Sequence, residues 1–324
     1  MRKSKKRLAG VSVATLALLI AFSGVANAQR TARTSTEVEA QPFQLPPESL
    51  GGGVAQFNTN CDRGFTVASG GGLLNPSAPP ATTNIALSAS GPQGDGWLVR
   101  YQNQQSVFAL ATVEALCLKN KLKLKGRGFG NPAKKPRALT RFENESQQVI
   151  LPANSVTQSN VACPRGSRVV GGGAEFPSAT PLGTNVRLYE SAPSGNRWHA
   201  RWRNATGLSQ IAALTALCLE NRLPVKGGPT GGNAKARTVI ERETQSFQLP
   251  PNTISSGEAE FDIACDDNTD PVGGGAVTPS GARVFLLESG PTAGGWHVRL
   301  HNQANAFRAV TVYANCLQER MRIK

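Results

Sequence analysis

Histidine, clustered cysteine and long apolar runs are scarce in this chain, and each scarcity closes off a class of function. There are three histidines in 324 residues, His199, His297 and His301. No Ser-His-Asp or Cys-His set recurs with them. His297 and His301 are four apart on a segment with strand periodicity, which separates them by about 13 Å and excludes a shared metal. The six cysteines include no Cys-x-x-Cys spacing, so they do not read as zinc ligands. No glycine run is followed by Gly-Lys-Ser/Thr, so no phosphate cradle is encoded. Asp266-Asp267-Asn268-Thr269-Asp270 opens like a calcium loop, but Pro271 replaces the required Gly and Val277 the required Glu. We expect no metal, no cofactor and no enzyme activity. Aromatic residues make up 6% of the chain and do not interleave with basic ones. That pattern does not suit stacking on single-stranded nucleic acid, and no specific nucleic-acid partner is expected.

Long apolar runs are confined to the N-terminus. Five basic residues precede Leu8–Val25, and Ala26-Asn27-Ala28 gives a small-x-small cleavage site. Residues 1–28 therefore read as a signal peptide, with a secreted or periplasmic product and no transmembrane segment in the mature chain. Without them, 30 Lys and Arg face 21 Asp and Glu, a net of +9 rather than +14. Lys119–Arg141 holds nine of the basic residues and no acid, so the excess charge is expected in one connector.

What is present is a pattern used three times: Cys, Gly-Gly-Gly, Ser-x-Pro, Trp, Asn, Cys. The cysteines are Cys61/Cys117, Cys163/Cys218 and Cys265/Cys316, and Trp97, Trp198 and Trp296 each precede the second by 20 residues. One spacing held three times marks one structural unit repeated. The natural pairing is first with second inside each copy, in a compartment where disulfides persist. Each loop, of about 50 to 57 residues, would add about 4 kcal/mol on the chain-entropy model. The units are placed at 38–125, 143–226 and 242–324. Gly/Pro-containing linkers fill 126–142 and 227–241, and a mobile tail covers 29–37.

Within each unit the period is two. Trp97–Asn103, Trp198–Asn204 and Trp296–Asn302 alternate apolar and polar residues, as half-buried strands do. The preceding strand ends in Ser-Gly-Pro or Ser-Ala-Pro, read as a hairpin loop longer than two residues. Ile211–Leu217 is ambiguous alone, but its counterpart Ala309–Ala314 is β-branched and alternating, so a strand is expected in all three. The fold class is all-β: three tandem small antiparallel β-sandwich or barrel domains, each with one internal disulfide. Beads in series is the preferred arrangement. The alternative is one threefold body in which each copy supplies a sheet.

Three features carry candidate roles. Trp97, Trp198 and Trp296 share a face with Val99, Ala200 and Val298, so they read as core. Arg100, Arg201 and Arg299 recur on the opposite face. Glu190 and Glu288 could pair with two of them, while Ala89 leaves Arg100 without that partner. An exposed Arg could instead contact anionic groups. Lys119, Lys121, Lys123 and Lys125 alternate with leucines along one strand face. They read as an edge strand blunted against aggregation or as a patch for anionic polymers.

Cys163-Pro164-Arg165-Gly166 leading to Gly171-Gly172-Gly173, with Ser191-Ala192-Pro193, Trp198 and Cys218, resembles a unit of secreted bacterial repeat proteins of unknown function. Copies one and three depart from it at Asp62 and Asp266, where the unit has Pro. The resemblance implies export from a bacterial cell and no particular activity. Threefold β-prism proteins of egg envelopes are a looser analogy. The functional expectation is multivalent binding to cell-surface glycans or anionic envelope polymers. A spacer protein without a ligand is the alternative, and a hydrolase with one active copy a third.

Overall fold

The computed structural model describes residues 31–74, 84–125, 136–176, 185–226, 234–279 and 283–323. The signal segment and its cleavage site lie outside the described residues, as do 126–135 and 227–233 of the two linkers. Among the described residues the regular structure is strand, with two single-turn 3-10 segments, and no helix is long and apolar enough to cross a membrane.

Each repeat supplies eight strands. The first gives β1 (Thr31–Arg33), β2 (Thr36–Leu45), β3 (Val54–Asn60), β4 (Phe65–Leu74), β5 (Ile85–Gln93), β6 (Gly96–Asn103), β7 (Ala109–Lys119) and β8 (Lys121–Lys125). The second gives β9 (Arg137–Leu139), β10 (Phe142–Leu151), β11 (Ser155–Ala162), β12 (Ser167–Glu175), β13 (Val186–Ser194), β14 (Arg197–Asn204), β15 (Gln210–Glu220) and β16 (Arg222–Lys226). The third gives β17 (Lys235–Arg237), β18 (Ile240–Leu249), β19 (Glu258–Ala264), β20 (Thr269–Val277), β21 (Val284–Thr292), β22 (Gly295–Asn302), β23 (Arg308–Gln318) and β24 (Arg320–Arg322).

In the first repeat, β2–β7–β4 form one antiparallel half-sheet and β5–β6–β3 another, and the two pack face to face. The other repeats follow the same pairing. Each repeat is thus a small antiparallel sandwich. Its disulfide joins the end of one half-sheet to the last long strand of the other: Cys61–Cys117, Cys163–Cys218 and Cys265–Cys316, with Cα atoms 5.6–5.7 Å apart. That separation is within the range a disulfide spans. Three disulfides fit an oxidising, extracytoplasmic compartment.

The sandwiches are not beads in series. β5 joins β12 at Ser90 and Ala174, β13 joins β20 at Ser191 and Ala276, and β21 joins β4 at Ser289 and Gly72. Three six-stranded sheets result, each shared by two repeats, around a pseudo-threefold axis. No sheet belongs to one copy alone. The Ser-x-Pro motif, expected as a turn, lies inside the strand. The turn itself is only two residues, such as Gly94-Asp95 or Gly195-Asn196, with left-handed glycines at φ +59° and +58°. The serine has two jobs. Its backbone makes the bridge between repeats, and its Oγ accepts the Trp Nε1–H at 2.9, 3.0 and 2.9 Å in the three copies. Beyond that bridge the strand's outer edge is free of a ladder, so the following proline lacks no needed donor.

The glycine runs serve the same joints. Strand register shows the triplets to be offset by one: Gly70 matches Gly172 and Gly274, and Gly71 matches Gly173 and Gly275. A Cβ at Gly70, Gly172 or Gly274 would lie 2.3–2.4 Å from the Trp ring. A Cβ at Gly71, Gly173 or Gly275 would lie 1.6–2.1 Å from the serine carbonyl of the neighbouring repeat. The tryptophans are 1–2% exposed, as the core reading requires. The conserved-spacing asparagines, Asn103, Asn204 and Asn302, are buried and fully used. Asn204 donates to the carbonyls of Leu151, Pro152 and Leu208 and accepts from Thr206 N, tying two loops at one end of its sandwich.

At the opposite end the long strands β7, β15 and β23 break at Asn120, Asn221 and Glu319 and pass into a fourth sheet. Its order is β17–β16–β9–β8–β1–β24, and a bridge from Ala236 to Ile323 closes it into a small barrel. Ala32, Leu122, Ala138, Leu223, Ala236 and Met321 fill it, alternating small and large side chains, each at most 1% exposed. The barrel absorbs Thr31–Arg33, expected to be mobile, and Arg137–Leu139 and Lys235–Arg237, expected to be linkers.

Gly173→Val tests the joint. Its side chain has no room against the Ser90 carbonyl, so we expect a loss of about 3 kcal/mol or more, as overpacking at backbone causes. Gly207→Ala, whose added Cβ meets nothing at an ordinary φ, should cost less than half as much, read by urea denaturation of both variants.

Candidate polyanion-binding collar

The strand arginines are interior groups. Arg100 and Arg201 are 6% and 4% exposed. Arg201 lies 2.7 Å from Glu190 Oε1 and donates to Thr278 Oγ1 of the third repeat at 2.6 Å. Glu190 also accepts the Thr278 backbone N–H at 2.8 Å and meets His199 Nε2 at 2.8 Å. In the third repeat Arg299 donates to Glu288 and Glu258 at 2.9 and 2.8 Å. In the first, where Ala89 replaces the glutamate, Arg100 donates to Gln56 and faces the ring of Phe176 from the second repeat at 5.8 Å. An open Arg-bearing face is therefore corrected to three polar joints beside the seams. For Arg100 and Arg201 the cause is the fusion of the sandwiches, which brings Phe176 and Thr278 of the next repeat over them, whereas Arg299 is met by carboxylates of its own repeat.

The histidines belong to these joints as well. Burial disfavours the charged form of His297, but hydrogen bonds and charges from Glu288 and Asp262 outweigh it and hold its pKa above the ordinary value. His301 is 4% exposed, and burial lowers its pKa. Two carboxylates of the seams were not anticipated. Burial raises Glu175 to about 7 against the pull of Arg100, and raises Glu114 to about 7 against that of His297. Glu175 sits over Gly91 of the first repeat and Glu114 near Gly290 of the third. Glu37, Glu39 and Asp62 bring carboxylate oxygens within 4.8 Å of one another, and burial and the two neighbours raise Glu37.

The lysine run does not lie on one edge strand. Lys119 ends β7, its ammonium 5.2 Å from the Phe65 ring centre, whereas Lys121, Lys123 and Lys125 belong to β8 of the barrel. β8 pairs with β1 on one side and β9 on the other, so it is no edge. Its neighbours change the meaning of its charge. With apolar residues turned into the barrel, the alternate positions turn outward, and nearly all are basic. Lys121 and Lys123 on β8 are joined by Arg33 on β1, Arg137 on β9, Arg222 and Lys226 on β16, Lys235 and Arg237 on β17, and Arg320 and Arg322 on β24. All but the half-buried Arg137 are exposed. The six strands contain no acidic residue. Acids stand only at the rim, where Arg33 meets Glu319 at 3.8 Å and Arg141 meets Glu220 at 3.6 Å. A cavity of about 460 Å³ at that rim is lined by Arg33, Lys119, Lys123, Asp270 and Glu319 among others.

The basic charge is thus a collar assembled from all three repeats, not a property of one connector. Closely set like charges raise the local concentration of oppositely charged groups. Comparison with known proteins found no matching family model and no matching curated protein.

The buried carboxyls generate a pH dependence. Between about pH 4.5 and 7 the unfolded chain releases protons that folded Glu114 and Glu175 retain, so stability falls as pH rises through that window. A Glu114→Gln/Glu175→Gln variant should lose that slope. Its melting temperature should exceed that of the parent by a few degrees at pH 8 and match it near pH 4.

Proposed function

We propose that this chain is an exported, non-catalytic repeat protein that binds anionic envelope polymers through the barrel collar. The observation that carries the reading is the acid-free outer surface of the six barrel strands, basic in every repeat. The ligand class is a polymer with regularly spaced phosphates or carboxylates, such as an acidic polysaccharide. Sugar stacking has no support from the tryptophans, which are buried. Binding here is one multipoint contact on a ring of cations, not three separate weak sites. The paired strands fix the spacing of the positions that carry the cations, so the ordering cost of binding falls on the side chains alone.

A spacer without a ligand is favoured by one fact: the repeated Trp, Gly, Ser and Asn residues are all consumed in holding the fold. The collar separates the two readings, since its charge does nothing for the barrel interior. Co-sedimentation with polygalacturonate should be strong at about 0.05 M salt and fall at least tenfold by about 0.5 M, as screening shortens the reach of the charges. Lys121→Gln/Lys123→Gln/Arg222→Gln/Arg320→Gln/Arg322→Gln should abolish it with no loss of melting temperature. No binding by the parent, or equal binding by the variant, would favour the spacer.

A further inference from the structure

The second repeat breaks the pseudo-threefold pattern at the end remote from the collar. The position occupied by Ala86 in the first repeat and Phe285 in the third is Arg187 in the second. Its cross-strand partner is Arg203, where the other repeats have Gln102 and His301. Two like charges directly opposite on a ladder destabilise it. Neither is required by the fold, since two of three copies do without them.

The surroundings hold this pair instead of dispersing it. Arg187 is half-buried near the axis, its guanidinium 5.0 Å from the Phe285 ring centre, and donates to Gln104 Oε1 of the first repeat at 3.0 Å. Burial raises the pKa of Tyr189 and the charge of Arg203 lowers it; Tyr189 is 3% exposed and packs edge-on against Phe285 at 4.8 Å. Burial lowers the Arg187 pKa and Arg203 lowers it further. A third cation, Arg283 of the third repeat, lines the same cavity, which measures about 330 Å³ and is also lined by Asn185 and Gln303. No acidic residue lines it, and the segments outside the described residues contain no Asp or Glu.

We propose that Arg187, Arg203 and Arg283 form a binding site for a tetrahedral oxyanion of the phosphate or sulfate class. Guanidinium groups present planar forks of donors that match such oxygens. Three of them lining one cavity without a carboxylate, Arg187 half-buried and Arg203 and Arg283 exposed, leave a positive field that a dianion neutralises. The site uses all three repeats, two for its cations and the first for the Gln104 that orients Arg187, so it exists only in the fused body.

The test is thermal denaturation with inorganic phosphate or sulfate at low millimolar concentration, below the range where these salts stabilise proteins by exclusion from the surface, against sodium chloride at equal ionic strength. The parent's melting temperature should rise by several degrees with either oxyanion and not with chloride. Arg203→Gln should lose that rise. Without oxyanion the same variant should melt at or above the parent's temperature, because a repulsion has been removed. Arg283→Gln should weaken the response at least tenfold in concentration. The collar variant should keep it, which separates this site from the polymer reading. An equal response to chloride, or an unchanged response in Arg203→Gln, would overturn the proposal. Phe108, Leu208 and Phe307 are exposed at this same end or nearby loops, Phe108 at 54%, Leu208 at 72% and Phe307 at 58%. Sedimentation with phosphatidylglycerol vesicles therefore distinguishes the source. Arg203-dependent pelleting assigns a lipid headgroup, and a phosphate response without pelleting assigns a soluble oxyanion.

Discussion

Everything in this molecule depends on three places where backbones from neighbouring repeats touch. At each, a glycine lies so close to a serine carbonyl that no side chain could stand between them. The same serine accepts the indole N–H of the buried tryptophan, so the core of one sandwich is coupled to its seam with the next. Remove the close approach and the sandwiches separate. Arg100 and Arg201 would then lose Phe176 and Thr278 across the seams, and the short terminal strands would lose the neighbours that make a barrel.

The seams also decide the electrostatics. Two hold a glutamate that pairs with an arginine and a histidine, and the third substitutes glutamine, an aromatic ring and a carboxyl raised by burial. Buried ion pairs contribute little net stability once desolvation is counted, but losing one partner is costly. Two basic groupings stand apart from the seams: a broad collar around the barrel, and three arginines lining one cavity at the other end.

Much of this was legible in the sequence. Repetition resolved Ile211–Leu217 as strand, paired the cysteines and placed Trp97, Trp198 and Trp296 in the core. Three misreadings share a cause. Ser-x-Pro resembles a turn because proline and glycine usually mark one, yet here they suit a strand whose outer edge is unpaired. Arg100, Arg201 and Arg299 alternate with the core face and so read as exposed, since alternation reports two faces but not what covers the second. The basic residues of β1, β16, β17 and β24 lie far from Lys121 in sequence, three or five residues at a time, and only Lys119–Arg141 forms a visible run. The Arg187–Arg203 pair was invisible for the same reason, because register places them opposite each other and spacing does not.

The sequence by itself determined the repeat, its strands, its disulfides and its core, because those rest on local periodicity and on contacts within one unit of about 85 residues. Tertiary structure alone decided how the units join, which faces are covered and where charge accumulates. Those properties come from pairing between repeats: the bridging Ser90, Ser191 and Ser289 recur in the pattern, but their spacing does not say that each meets the next repeat.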